Sequence, residues 1–262
     1  RGGRMLTRRV IVCLDVKGAR VVKGVQFVGL RDVGDPVALA TRYETEGADE
    51  ITFLDISASA EERATLLDVA RRTAERLFIP LTIGGGVRTA DDVARALRAG
   101  ADKVSLNSAA VSRPEVLTES AHRFGAQCVV ASIDAKRNAD GVWKVWVKGG
   151  REETPLEAVA WAQECVARGA GEILLTSIDR DGARTGYDLT LTRAVADAVP
   201  VPVIASGGAG EAQHLVDAVV DGHADAVLVA GILHDGLTTV AALKETMRAA
   251  GLPVRALPAP VA

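Results

Sequence analysis

The chain has no excess of either charge, no cysteine framework and no long apolar run, and each absence removes a class of protein. Thirty-one basic residues against 34 acidic ones leave a formal net charge of −3 over 262 residues. That balance gives no overall electrostatic footprint for a nucleic-acid polymer or an anionic membrane. The three cysteines, Cys13, Cys128 and Cys165, are an odd number without CxxC spacing, which points to reduced thiols in a cytoplasm and not to disulfides. No uninterrupted apolar stretch approaches the roughly 18 residues of a membrane span, and none near the N-terminus resembles a secretory signal. The four histidines, His122, His214, His223 and His234, show no metal-ligand spacing, so neither a metal nor another cofactor is expected. What is present, 48% apolar and 25% charged residues, is an ordinary globular composition. Residues 1–4 precede the first methionine and read as a cloning remnant or short leader, and residues 257–262 as a disordered tail. A single domain is expected over 5–256.

Short β-branched runs alternate with longer stretches of helical period, an order that argues for parallel strands joined by crossover helices. The strand candidates are Arg9–Asp15, Glu50–Asp55, Leu81–Gly84, Lys103–Asn107, Cys128–Asp134, Glu172–Ser177, Val203–Ser206 and Ala226–Ala230. Eight such units in a chain of this length predict a (β/α)8 barrel. A doubly wound sheet is disfavoured because Leu14-Asp15-Val16-Lys17 is not a glycine-rich fingerprint. Helix starts are signalled by Asp35-Pro36, by Thr89 and by Thr154-Pro155; helix ends by Gly47, Gly100, Gly125 and Gly169. Strand-and-turn wording recurs at an offset of about 120 residues. Val12-Cys-Leu-Asp15 is answered by Ala131-Ser-Ile-Asp134, and Ile79-Pro-Leu-Thr-Ile-Gly-Gly-Gly86 by Val201-Pro-Val-Ile-Ala-Ser-Gly-Gly208. The barrel therefore reads as two similar halves of four units. Two connections stand out. Lys17 to Gly34 is long, glycine-rich and without clear period, and Arg137 to Gly150 reads as a hairpin turning at Asp140-Gly141.

Barrel enzymes place their chemistry where the strands end. Asp15 and Asp134 end the first and fifth strands, which lie opposite one another, at equivalent places in the two halves. Alone, each aspartate could be a turn cap; as an equivalent pair they are candidates for general acid and base, provided their surroundings drive their pKa values apart. The turns Gly84-Gly85-Gly86 and Ser206-Gly207-Gly208 expose backbone N–H groups suited to phosphate, although neither is a nucleotide P-loop. With Asn107-Ser108 and Ala230-Gly231 they would form two cradles, implying a substrate phosphorylated at both ends. Lys23 in the long connection is either a lid residue closing on an anion or a solvated lysine. Arg9, Glu50, Lys103 and Glu172 start their strands with the inward parity of the mouth residues. They form either a neutral ring across the barrel bottom or a solvated rim.

Together the motifs Val12-Cys-Leu-Asp-Val-Lys17, Arg20-Val-Val-Lys-Gly24, Leu30-Arg-Asp32, Phe53-Leu-Asp-Ile56, Ile83-Gly-Gly-Gly86, Ala101-Asp-Lys-Val104, Ile133-Asp-Ala-Lys136, Glu172-Ile-Leu-Leu-Thr-Ser-Ile-Asp-Arg-Asp-Gly182 and Ala205-Ser-Gly-Gly-Ala-Gly210 resemble the cyclase subunit of imidazole glycerol phosphate synthase in histidine biosynthesis. The resemblance runs from about Arg8 to Arg255. It implies that ammonia from a separate glutaminase subunit attacks a bis-phosphorylated ribulosyl aminoimidazole carboxamide nucleotide, giving imidazole glycerol phosphate and an aminoimidazole carboxamide ribotide. It further implies that Asp15 and Asp134 are the acid–base pair and that Lys23 folds over the substrate. Thr176, Asp181 and Gly182 would help bind that substrate, and the four strand-starting charges would gate ammonia where the glutaminase docks. A related half-repeat isomerase and a non-catalytic scaffold that binds phosphate and glutaminase are the alternatives. The chain departs from the family at Lys17-Gly18-Ala19-Arg20, which lacks the usual acidic residue, and at Gly231, where a serine is common. His223 and the segment His234-Asp-Gly-Leu differ as well.

Overall fold

A computed structural model describes residues 6–25, 28–57 and 59–256; both expected terminal segments, 1–4 and 257–262, lie outside them, as does position 5. Eight parallel strands close on themselves. In ring order they are β1 (Arg9–Lys17), β4 (Glu50–Asp55), β5 (Leu81–Gly84), β6 (Lys103–Leu106), β7 (Val129–Arg137), β10 (Glu172–Ser177), β11 (Val203–Ser206) and β12 (Ala226–Val229). β12 pairs with β1, and β10 pairs with β7, so the ring has no gap. Crossover helices α1 (Pro36–Thr45), α2 (Ala60–Ala74), α3 (Ala90–Arg98), α5 (Glu115–Phe124), α6 (Ala158–Ala167), α7 (Leu189–Ala198), α8 (Ala212–Val220) and α10 (Val240–Ala249) follow the strands, with short α4 (Ser108–Ser112) and α9 (Gly231–His234) at the mouth. This is the expected (β/α)8 barrel.

Strand periodicity sorts the side chains between two cores. In β1, Val10, Val12, Leu14 and Val16 face the helices and are fully buried, while Arg9, Ile11, Cys13 and Asp15 face the axis. The outer set joins the large core between sheet and helices. Inside the ring a smaller apolar cluster, Ile11, Ile204, Ala226 and Leu228 with Cys13 and Leu174, fills one side. Each aliphatic side chain so buried contributes about 1.5–3 kcal/mol before entropy is counted. Below this layer Asp49 accepts from Lys244 Nζ at 2.8 Å and Arg255 Nε at 2.7 Å, tying α10 and the C-terminal segment to the start of β4.

Local signals explain most boundaries. Asp35 accepts from Ala38 N at 2.8 Å with Pro36 in the first turn, and Thr89 forms a capping box with Asp92. Gly47, Gly100, Gly125 and Gly169 all follow helix ends with positive φ.

Two expectations need correcting. The connection Lys17 to Gly34 is not irregular. β1 continues past Asp15 to Lys17, turns at Gly18, and pairs antiparallel with β2 (Arg20–Val25), which pairs with β3 (Val28–Gly34). The period was obscured because the ladder shifts register between Val21 and Val22 and again between Lys23 and Val25. Thr154-Pro155 does not start a helix either. The expected hairpin of β7 and β8 (Trp143–Val147) carries a third strand, β9 (Glu152–Glu157), and α6 begins only at Ala158. Thr154 Oγ1 donates to Val145 O, and Pro155 is tolerated because β9 pairs on one side. Both insertions follow equivalent strands, the first of each half.

Candidate active site

The mouth is built from the strand ends. β1 and β7 stand opposite one another in the ring, and their axis-facing residues near the mouth are Asp15 and Asp134. Burial raises the Asp15 carboxyl to about 7, with the charge of Asp181 adding to the effect. Burial also raises Asp134, but only to about 6, because Asn107 Nδ2 donates to its Oδ2 at 3.0 Å and favours the ionised form. Two equivalent aspartates are thus made inequivalent by one amide. Asp181, itself raised by burial, is the third carboxyl of the group. Thr176 is the register partner of both Asp134 and Ser206, on the same rim.

The two glycine turns repeat the half-barrel relation. Gly85 has φ 82 and Gly207 φ 88, and each packs against a carbonyl that a Cβ would strike: Asp55 O at 2.2 Å and Ser177 O at 2.8 Å. Only glycine fits there. Beside Gly86 lies the guanidinium of Arg63, paired with the buried Asp55 at 3.5 Å. Of the neighbouring residues, Asn107 turns its amide to Asp134 and leaves its Oδ1 buried without a partner, while Ser108 Oγ accepts from Lys148 N at 3.0 Å. Gly182, at φ 75, opens the loop after β10 next to Asp181.

The hairpin brings Lys23 to Gly231, where it bonds Asp235. Arg31 and Arg184 bond the same carboxylate. Sequence reasoning did not find this cluster, whose members come from separate connections, or the Asp55–Arg63 pair, which joins the end of β4 to the helix that follows it. Nor did it find the chain Tyr43 Oη to His234 Nδ1 at 2.7 Å and His234 Nε2 to Cys13 O at 3.0 Å.

At the opposite end the four strand-starting charges do meet. Arg9 Nη1 donates to Glu50 Oε1 at 2.8 Å and Arg9 also bonds Glu172. Lys103 Nζ reaches Glu50 at 3.0 Å and Glu172 at 3.1 Å. The two acids are 7% and 8% exposed, so this is a neutral ring across the barrel axis and not a solvated rim. Burial disfavours the Arg9 charge, but Glu172 and Glu50 outweigh it and raise the guanidinium above its ordinary value.

The histidine biosynthesis protein family matches residues 9–239. An imidazole glycerol phosphate synthase subunit HisF from Myxococcus xanthus (strain DK1622) is 74% identical over 253 residues, covering 97% of this chain and all of the relative. One from Synechococcus sp. (strain CC9605) is 59% identical over 255 residues, covering 96% of this chain and all of the relative. With this barrel and this coverage, the chain belongs to the family of imidazole glycerol phosphate synthase cyclase subunits of histidine biosynthesis.

Proposed function

We propose that this chain uses ammonia to convert a bis-phosphorylated ribulosyl aminoimidazole carboxamide nucleotide into imidazole glycerol phosphate and an aminoimidazole carboxamide ribotide, with Asp15 and Asp134 as the proton-transfer pair. The observation that carries the proposal is their split environment. Burial raises both carboxyls towards neutrality, and Asn107, which donates to Asp134 alone, favours the ionised form there and leaves Asp15 the more readily protonated of the two. One carboxyl then gives a proton to departing oxygen or nitrogen while the other takes one from the attacking amine. The turns at Gly85-Gly86 and Gly207-Gly208, with Asn107-Ser108 and Ala230-Gly231, would hold the two phosphates. The reacting segment would then span the mouth between the aspartates, as positional catalysis requires. Lys23, Thr176, Asp181 and Gly182 complete the substrate contacts.

Ammonia would come along the axis, past the ring of Arg9, Glu50, Lys103 and Glu172, from a glutaminase docked at the strand-start end. Exposed apolar side chains on that side support the docking face: Leu6 is 85% and Phe78 98% exposed. No helix among the described residues is long and apolar enough to cross a membrane, and a cytoplasmic location fits the free cysteines.

The test is incubation of the purified chain with the nucleotide and a high concentration of ammonium salt at mildly alkaline pH, both products being followed by chromatography. Both products are expected without glutaminase. Bound nucleotide without product would instead support a scaffold, and isomerisation of the aminoaldose precursor would support the related isomerase.

A further inference from the structure

The cluster around Asp235 has a geometry that ion pairing alone does not explain. Lys23 from β2, Arg31 from β3 and Arg184 from the loop after β10 converge on one carboxylate. Lys23 and Arg184 hold the Asp235 carboxyl down at about 2, so one carboxylate faces an ammonium and two guanidinium groups. Each cation uses only part of its donor set, since an ammonium has three N–H groups and a guanidinium five. The Arg184 and Lys23 nitrogens that bond Asp235 also stand beside Gly231. A Cβ there would lie 3.5 Å from Arg184 Nη2 and 3.9 Å from Lys23 Nζ.

Arg184 carries a second, independent mark. Its φ is 58, in the left-handed region that residues with a Cβ adopt only at a cost. The backbone is pinned there by a close approach that only glycine permits, because a Cβ on Gly210 would sit 2.1 Å from Arg184 O. The side chain is 39% exposed, so core packing does not account for the strain. What the strained backbone achieves is to send a guanidinium across the rim to the open Cα of Gly231.

We propose that Arg184 is a direct ligand of the phosphate held at Gly207, Gly208 and Gly231, and that Asp235 is the positioning residue that gathers Arg184 and Lys23 over that cradle. The inference rests on the proposed reading of the cradle as a phosphate site and adds the charged groups that serve it. Two positive charges in excess match a phosphate dianion, and a guanidinium offers paired donors to two of its oxygens. Without Asp235 the three cations would repel one another and turn towards solvent. With it they are gathered before the ligand arrives, which lowers the ordering cost of binding.

Inorganic phosphate titrated calorimetrically into the full chain is expected to fill two sites. Arg184→Gln should weaken one of them about tenfold or more, the loss of a charge-assisted bond, and leave the other as it was. Asp235→Asn should weaken the same site by a smaller factor. In turnover with ammonium salt, both variants should raise KM for the bis-phosphorylated nucleotide by a larger factor than they lower kcat, and Arg184→Lys should recover part of the loss. Arg193→Gln, at an exposed arginine on α7, serves as the control and should match the parent in both measurements. Two unchanged sites in Arg184→Gln would overturn the assignment of Arg184. Tighter phosphate binding in Asp235→Asn would show that the carboxylate competes with the ligand, overturning its positioning role. No phosphate binding by the parent chain would remove the cradle reading itself and this inference with it.

Discussion

A carboxyl group that titrates near 4 is fully ionised at neutral pH and has no proton to give. The environment of Asp15 therefore matters more than its identity, and the two aspartates make separate predictions for rate and stability. Asp15→Asn and Asp134→Asn should each lower ammonia-dependent turnover by about 10²-fold or more while nucleotide binding changes little; unchanged turnover in both would remove the acid–base roles. The stability effect has a definite sign. With Asp15 at about 7 in the folded chain, the folded state keeps a proton between about pH 4 and about pH 7 that the unfolded state has released. Stability from this group is therefore present at low pH and is lost as pH rises through that window. Asp15→Asn lifts the burden, so its Tm gain over the parent should be greater at pH 8 than at pH 5. The difference should be at least about 2–4 °C, the shift expected for each ~1 kcal/mol in a chain of this size. Equal gains at the two pH values would contradict the buried-carboxyl account. At this scale the pair was legible in the sequence because a half-repeat doubled it. Asn107's amide on Asp134 was not, since a hydrogen bond between residues 27 apart follows from strand neighbours and not from spacing.

Among the elements, the eight barrel strands and the capped helix starts were read correctly, and what was missed is the extra strands of the two insertions, β2, β3 and β9. α3 begins where Thr89 and Asp92 exchange bonds, and both residues are visible in the sequence. Thr89→Ala should cost about 1 kcal/mol of stability, seen as a Tm lower by about 2–4 °C; no change would mean that the helix start is held by packing alone. Thr154-Pro155 carries the same superficial signature of a small polar residue before proline, yet it lies in β9 because β8 offers a ladder that only the folded chain reveals. The long β2–β3 hairpin escaped notice for a related reason: its bulges break the alternation that identifies strands.

For the molecule as a whole, the ring at the barrel bottom is a buried network of two acids and two bases. Removing one partner leaves an unmatched charge in a poorly solvated place. Glu172→Gln should therefore cost about 3–5 kcal/mol, read as a lower midpoint of urea unfolding. A loss under about 1 kcal/mol would be the behaviour of a solvated rim. Parity alone could orient these four side chains but could not decide whether they met, because that depends on barrel closure and strand stagger. The eightfold count and the twofold repeat were legible because they are written along the chain. The Asp235 cluster was not, since it exists only where three connections arrive at one rim.

A closed barrel has no open sheet margin, but β9 restores one, since it pairs with β8 and with no other strand among those described. Glu152, Glu153 and Glu157 lie on that margin with Pro155, which has no N–H to offer. A strand from another copy that approached would bring the same acids against these and find a gap in the hydrogen-bond ladder. In a crowded solution the added strand can thus enlarge the mouth without becoming a seed for aggregation.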